Sequence, residues 1–269
     1  GSIEFREFFP DVHPFTQGIG NHMTRRNRIL IAASVMLLLW EGLALLLNQA
    51  VLPPAHQVLV EFAKEIFDDL GVHFISSLWR VLASLVLAIL LAAPAGMVMG
   101  QSKRINEIFT PFVYLTYPVP KVVLVPIIIL ILGVNDLSKI VIIFLILFFQ
   151  ILVLVRDEAA SIRPELLYSV KSLGAGRRAL FKFVYFPASL PAILTAVRQS
   201  IGTAVAVLYV VELVATQKGL GYYIYLYGST LFDYPKMYAG VIAMSLLGLG
   251  LYYAADLLHR KLCSWQFAE

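Results

Sequence analysis

Four cations and no acid fall between residues 168 and 191, in the run YSVKSLGAGRRALFKFVYFPASLP. Lys171, Arg177, Arg178 and Lys182 offer positive charge there, the chemistry of docking to a surface rather than of making bonds. Residues 177–185 contain no Gly or Pro and alternate charge with Leu180, Phe181, Phe183 and Val184. That pattern predicts a short amphipathic helix on or below a bilayer. Gly174 before it and Pro187 after it are the expected breakers. Long apolar runs lie on both sides, and a basic segment between two membrane-length runs belongs on the cytoplasmic side.

Polar side chains inside the apolar runs are the other candidates, because an ionisable group within a bilayer is expensive to keep. Lys121 is the only charge in residues 108–134, a run interrupted by Pro111, Pro118, Pro120 and Pro126. Each proline removes a backbone donor, and such breaks are tolerated where they line protein or a cavity. Two readings are open. Either the segment is bent beside a solute path, with Tyr117 and Lys121 facing it, or the break lies near an interface from which Lys121 snorkels. Residues 192–214 are the most polar run, with Arg198, Gln199, Ser200, Thr203, Tyr209 and Glu212. This run is expected to face the bundle interior, with Gln199, Thr203, Tyr209 and Glu212 toward the path; Glu212 reads alternatively as an outer-interface acid. Gly202, Thr203, Ala204 and Ala206 permit a close helix approach. Glu41, beside Trp40, reads as an interfacial residue.

Several chemistries find no support. The phosphate-loop pattern G-x-x-x-x-G-K-[ST] is missing: Gly174-Ala175-Gly176-Arg177-Arg178 lacks the Lys-Ser/Thr. There is no H-E-x-x-H, and the five His residues show no metal-ligand spacing. Cys263 stands alone, which excludes an intrachain disulfide and a cysteine metal cluster. No catalytic, cofactor-binding or metal residue is therefore expected, and the net charge of +4 lies in loops without suggesting a nucleic-acid partner.

The elements that position these residues follow from hydropathy. Of 269 residues, 59% are hydrophobic and 14% charged, with mean hydropathy +0.81. A soluble domain carries about 25% charged residues, so the composition is that of a polytopic membrane protein. A bilayer needs about 20 apolar residues per helix. Spans are expected at 29–47, 81–99, 108–134 (broken), 140–155, 192–214 and 237–258. Residues 48–73, with Val58, Phe62, Ile66 and Leu70 four apart, read as an amphipathic helix at the outer interface. Residues 218–236 form an outer loop rich in Tyr and Gly. Thirteen Lys and Arg residues fall on the side of the 156–191 loop and five, Lys64, Arg80, Lys139, Lys218 and Lys236, on the other. That asymmetry places both termini and the loop inside. Residues 1–22 differ in character: Gly1-Ser2 resembles a tag remnant and Met23 a natural start, so they are expected to be a tag or disordered extension ahead of a permease domain at 23–269.

The loop spacing resembles that of binding-protein-dependent ABC importer permeases, whose pattern is Glu-Ala-Ala, three residues, Gly, nine residues, then Ile-x-Leu-Pro. Gly174 takes the Gly, and Val184-Tyr185-Phe186-Pro187 takes the end without a gap. The front departs: Tyr168, Ser169 and Val170 occupy the Glu-Ala-Ala positions, which removes any carboxylate contact made there. A literal Glu158-Ala159-Ala160 would put Pro164 at the Gly. The phrases LPPAHQVL, SLWRVL, APAGMVMG and KGLGYYI are similar to the sulfonate, taurine and nitrate branch, so the resemblance covers nearly all of residues 25–265.

The resemblance implies an all-α, type I (MetI-like) bundle of six transmembrane helices in a bacterial inner membrane. It implies a second permease copy, a dimer of ABC ATPase subunits that hold the ATP and Mg, and a periplasmic or lipid-anchored solute-binding protein. Gly174, Ala175, Arg177, Arg178, Leu180, Phe181 and Pro187 would contact the ATPase, with Ala175, Leu180 and Phe181 as the buried face. The solute would be a small anion. A stand-alone channel or ion-coupled carrier is the alternative, and a membrane enzyme a third.

Overall fold

The computed structural model describes residues 25–214 and 216–266; the side chains of Arg25, Arg26, Pro164 and Arg177 are not described. The expected extension at 1–22 lies outside the described residues. Among those residues the structure is helical, with no strand.

The described residues up to Ala55 form a unit of their own, which contains α1 (Arg25–Leu47). Its apolar side chains are largely exposed, as suits a helix whose solvent is lipid. Asn48, at φ 46°, stops it, with its N–H on the Ala44 carbonyl. Asn is among the few residues that tolerate this left-handed conformation.

The second unit holds everything from His56 onward. α2 (Ala55–Glu65) is the expected amphipathic helix, but it ends early, and α3 (Asp69–Gln101) begins at once. α3 is 33 residues long and starts twelve residues ahead of the expected span at Val81. Its first three turns carry Asp69, His73, Ser77 and Arg80, too polar to count as a span by hydropathy. α4 (Lys103–Thr116) is capped by Ser102, whose side chain accepts from the Ile105 N–H. A one-turn 3₁₀ segment, Lys121–Leu124, then leads into α5 (Val125–Leu132), and the two halves meet at 76°. This is the bent segment that the prolines predicted.

α6 (Asp136–Ala160) starts at an Asn135 cap and packs along α3. The approach is close because Gly96 and Gly100 face it: a Cβ on Gly96 would stand 2.8 Å from the Leu152 carbonyl, and one on Gly100 2.6 Å from Ala159 Cβ. α7 (Pro164–Ser172), α8 (Arg177–Leu180) and α9 (Phe186–Leu213) follow. α10 (Leu220–Tyr225) and α11 (Tyr234–Leu262) complete the unit. Its core lies where α3, α6, α9 and α11 meet, around Ile142, Leu147, Ile151, Leu208, Val211, Tyr223 and Leu247. Among the described residues five helices are long and apolar enough to cross a membrane, and six spans result when the bent pair counts as one.

Candidate coupling surface, membrane path and outer network

The basic segment is a helix–turn–helix end. α7 stops at Gly174, whose φ of +81° favours glycine. The Gly174 N–H bonds to the Lys171 carbonyl at 2.9 Å and the Ala175 N–H to Val170 at 3.4 Å. This pair of bonds is a Schellman closure. No atom lies within 4 Å of where a Gly174 Cβ would be, so the backbone alone demands the glycine.

Beyond the turn the chain re-enters helix and does not leave it until Leu213. Residues 181–185 form a wide π turn, closed by the Phe186 N–H on the Phe181 carbonyl. Pro187, expected as a terminator, sits inside this continuous 36-residue helix, Arg178–Leu213. The widened turn shifts the hydrogen bonding just ahead of Pro187, so its missing donor and its ring are accommodated. The same turn changes which side chains are buried. Within the chain Leu180 and Val184 point inward, Ala175 is half-buried and Phe181 is exposed. Arg178, Lys182 and Phe183 are exposed, with Lys182 Nζ 5.4 Å from the Phe183 ring centroid. The surface is thus a basic rim around exposed aromatic rings.

The expected path residues divide between two regions. Lys121, at the bend between α4 and α5, donates to the carbonyls of Thr116 at 3.0 Å and Tyr117 at 3.1 Å. Its ammonium stands 4.7 Å from the Phe149 ring centroid and 5.8 Å from that of Tyr117, which is itself exposed. Lysine here satisfies the carbonyls that α4 leaves open where it breaks. Gln199 and Thr203, four apart on α9, share a face with Gly202 and Ala206; Gln199, Gly202 and Ala206 are exposed and Thr203 is half-buried. A cleft of about 240 Å³ lined by Glu158, Thr195 and Gln199 opens beside it. Tyr209 is half-buried one turn before Glu212.

Glu212 is in a different setting. Its side chain is wholly buried, and its Oε1 takes Arg80 Nη1 at 2.6 Å. The Ser77 hydroxyl lies 2.9 Å from both carboxylate oxygens, and the Gly221 N–H donates to Oε2 at 2.8 Å. Arg80 turns the rest of its fork to Asp136 Oδ1, at 2.9 Å from Nε and 2.7 Å from Nη2. The Leu220 N–H donates to Ser77 Oγ at 2.8 Å and the Gly219 N–H to His73 Nδ1 at 2.9 Å. His73 Nδ1 also lies 3.0 Å from the Gly219 carbonyl, and its Nε2 lies 3.4 Å from Asp69 Oδ1. Sequence spacing does not connect these groups, because Arg80 and Glu212 are 132 residues apart. A local signal existed: His73, Ser77, Arg80 and Ser84 recur at helical spacing and form one polar stripe on α3.

A cleft of about 610 Å³ borders the network, lined by Arg80, Asn135, Asp136, Lys139, Thr216 and Lys218 among others. Against the His73 ring packs Tyr223, and against that Tyr227; burial and the carboxylate of Glu65 raise the pKa of the Tyr223 hydroxyl, and burial raises that of Tyr227, so both stay neutral. Among the described residues no group of three or more His, Cys, Asp or Glu could hold a metal ion.

Residues 84–263 match the family described as binding-protein-dependent transport system inner membrane component. The chain is 30% identical over 240 residues to the taurine transport system permease protein TauC of Escherichia coli (strain K12), covering 86% of this chain and 87% of that one. It is 28% identical over 241 residues to the putative aliphatic sulfonates transport permease protein SsuC of Bacillus subtilis (strain 168), covering 88% and 87%. Among solved structures, an inward facing MetNI methionine ABC transporter superposes with a TM-score of 0.64 at 19% identity, over 74% of this chain and 98% of that one. A bacterial ABC transporter involved in the import of the acidic polysaccharide alginate gives 0.59 at 16%, over 88% and 97%. At these identities the superpositions establish the fold.

Proposed function

The chain belongs to the binding-protein-dependent transport system inner membrane component family, and from that premise we propose that it carries a small anionic solute, of the sulfonate, taurine or nitrate kind, inward across a bacterial inner membrane. It is a multi-pass, non-catalytic permease of the ABC importer type, and ATP hydrolysis occurs in a separate ATPase. Its relatives are permease subunits of ABC importers, which implies ATPase and binding-protein partners. In the assembly proposed here two copies of this chain flank the path. A dimer of ABC ATPase subunits holds the ATP and Mg, and a periplasmic or lipid-anchored binding protein delivers solute from outside.

The observation that carries this reading is the surface after Gly174. Phe181 and Phe183 are exposed beside Arg178 and Lys182, at the end of the helix that runs on through the membrane as α9. Rings left in water at a basic rim are suited to a protein partner. Leu180 and Val184 anchor the segment, and Gly174, Ala175, Arg177 and Pro187 belong to it by position. ATP binding closes the ATPases, and the segment passes that motion on only by differing contacts in the two states.

The path is assigned to Tyr117, Lys121, Gln199, Thr203 and Tyr209. Lys121 favours an anion, since only main-chain carbonyls and ring faces surround its charge in the contacts described above.

Co-purification tests the assembly: an ATPase in roughly stoichiometric amount is expected. Gly174→Glu should insert normally yet lose ATPase stimulation by the loaded binding protein. Normal stimulation and uptake in that variant would overturn the assignment, and transport by the purified chain alone would favour a stand-alone carrier.

A further inference from the structure

Four consecutive residues of the outer segment, 218–221, are held by their main-chain atoms on side chains of α3 and α9. Arg80 Nη1 donates to the Lys218 carbonyl at 2.7 Å. The N–H groups of Gly219, Leu220 and Gly221 donate in turn to His73, Ser77 and Glu212. These are the first amides of α10, and Gly219, at its N-cap, has no side chain with which to cap them. The caps come instead from two spans. Gly219 and Gly221 leave no room for slack: a Cβ on Gly219 would stand 2.6 Å from Arg80 Nη1, and one on Gly221 2.7 Å from Glu212 Cβ. Arg80 also reaches Asp136, so the first turn of α6 is tied to the same point. One buried guanidinium and one buried carboxylate thus join α3, α6, α9 and the outer segment. Further along that segment Leu231 and Phe232 are exposed.

Glu212 lies one residue from the C-terminal end of the continuous helix whose other end, at Arg178, is the proposed ATPase-docking surface. At 1.5 Å per residue the two ends are about 50 Å apart. A displacement of the outer segment therefore tends to carry α9 with it, since separating them breaks the charged hydrogen bonds of the buried Arg80–Glu212 pair. We infer that Arg80 and Glu212, with Ser77, His73 and Asp136, are positioning residues that lock the outer segment to α9, so that a solute-loaded binding protein resting on that segment moves the ATPase-docking surface at the opposite end. This rests on the importer reading above, which supplies the partners at the two ends. The network fixes relative positions and has no part in binding solute or ATP.

The test uses the complete complex in lipid nanodiscs, with ATPase measured with and without solute-loaded binding protein. Two mild variants are Asp136→Asn, which loosens the fork and leaves the Arg80–Glu212 pair, and Ser77→Ala, which removes the Leu220 cap. Each should assemble with basal ATPase within about twofold of wild type while stimulation falls about tenfold or more. A label on the outer segment and one near Arg178 should then respond to binding protein independently, whereas in the wild type they respond together. Glu212→Gln combined with Asp136→Asn should lose no more stimulation than Glu212→Gln alone. Unchanged stimulation in both mild variants would overturn the inference. So would an equal loss of basal and stimulated activity, which marks a purely structural role. Wild-type complex that shows no stimulation, or no ATPase partner, would instead refute the importer reading itself.

Discussion

Arg198 on α9 and Asp256 on α11 meet across the helix contact, with Nη1 2.9 Å from Oδ1. Asp256 also takes Arg260 one turn further along α11, at 2.9 Å. Arg198 stands on the polar run of α9, yet its charge is spent on a neighbouring helix. This separates it from Gln199, the next residue, which is exposed. Arg198 therefore fastens α9 to α11, while Gln199 beside it stays exposed.

Asp256→Ala should cost on the order of 1–2 kcal/mol, less than for a fully buried pair, because both partners are partly exposed. Thermal unfolding of the detergent-solubilised chain measures it. Arg198→Met should cost less in the Asp256→Ala background than alone, and additive losses would show that the pair does not interact.

Gly100→Ala places a methyl 2.6 Å from Ala159 Cβ and 2.5 Å from the Arg156 carbonyl, and Gly96→Ala places one 2.8 Å from the Leu152 carbonyl. Backbone cannot yield as a long side chain can, so α3 and α6 must separate. A loss of about 1–3 kcal/mol is expected for each. Gly202→Ala, which meets nothing within 4 Å in a single chain, serves as the control and should leave monomer stability within about 0.5 kcal/mol.

Lys121→Met removes the donor that satisfies the Thr116 and Tyr117 carbonyls at the bend. Hydrogen bonds to a charged group contribute about 1.5–3 kcal/mol, so uptake into proteoliposomes should fall about tenfold or more while ATPase association persists. Lys121→Arg should keep more transport than Lys121→Met. Equal uptake by all three proteins would remove Lys121 from the path.

Cys263 is fully buried, and burial raises its thiol pKa above the ordinary value. The thiolate is the reactive form. At pH 7.5 the native protein should therefore label with maleimide at least about tenfold more slowly than after denaturation. The rate should climb only as pH passes above the usual thiol range, where the anion begins to form. Rapid labelling at neutral pH would contradict the burial.

The parts of this architecture visible in the amino-acid order are those set by one-dimensional pattern. α6 follows from a charge-free apolar run bounded by cations, α11 from a run whose one charge is Asp256, and the bend before Lys121 from Pro118 and Pro120. The start of α3 was hidden because a span with a polar stripe at one end looks like a loop to a hydropathy average. The setting of Glu212 was hidden for another reason. A lone acid in a span carries no sign of whether it faces water or an arginine, and its partner Arg80 arrives from another helix. Pro187 misled because terminator rules presume an α-turn, and the chain there adopts a wider one.

The wide turn at residues 181–185 carries one residue more than an ordinary α-turn. It therefore works as a phase joint in the numbering of the helix. Losing one residue inside it lets the turn close as plain α-helix, and Gln199 and Thr203 keep their bearing. Losing one residue beyond it, at Ala192 for instance, rotates the segment between the cut and the docking end by about 100° relative to everything after. Length variation in this helix should accordingly preserve the bearing of Gln199 and Thr203 at one place and lose it a few residues away.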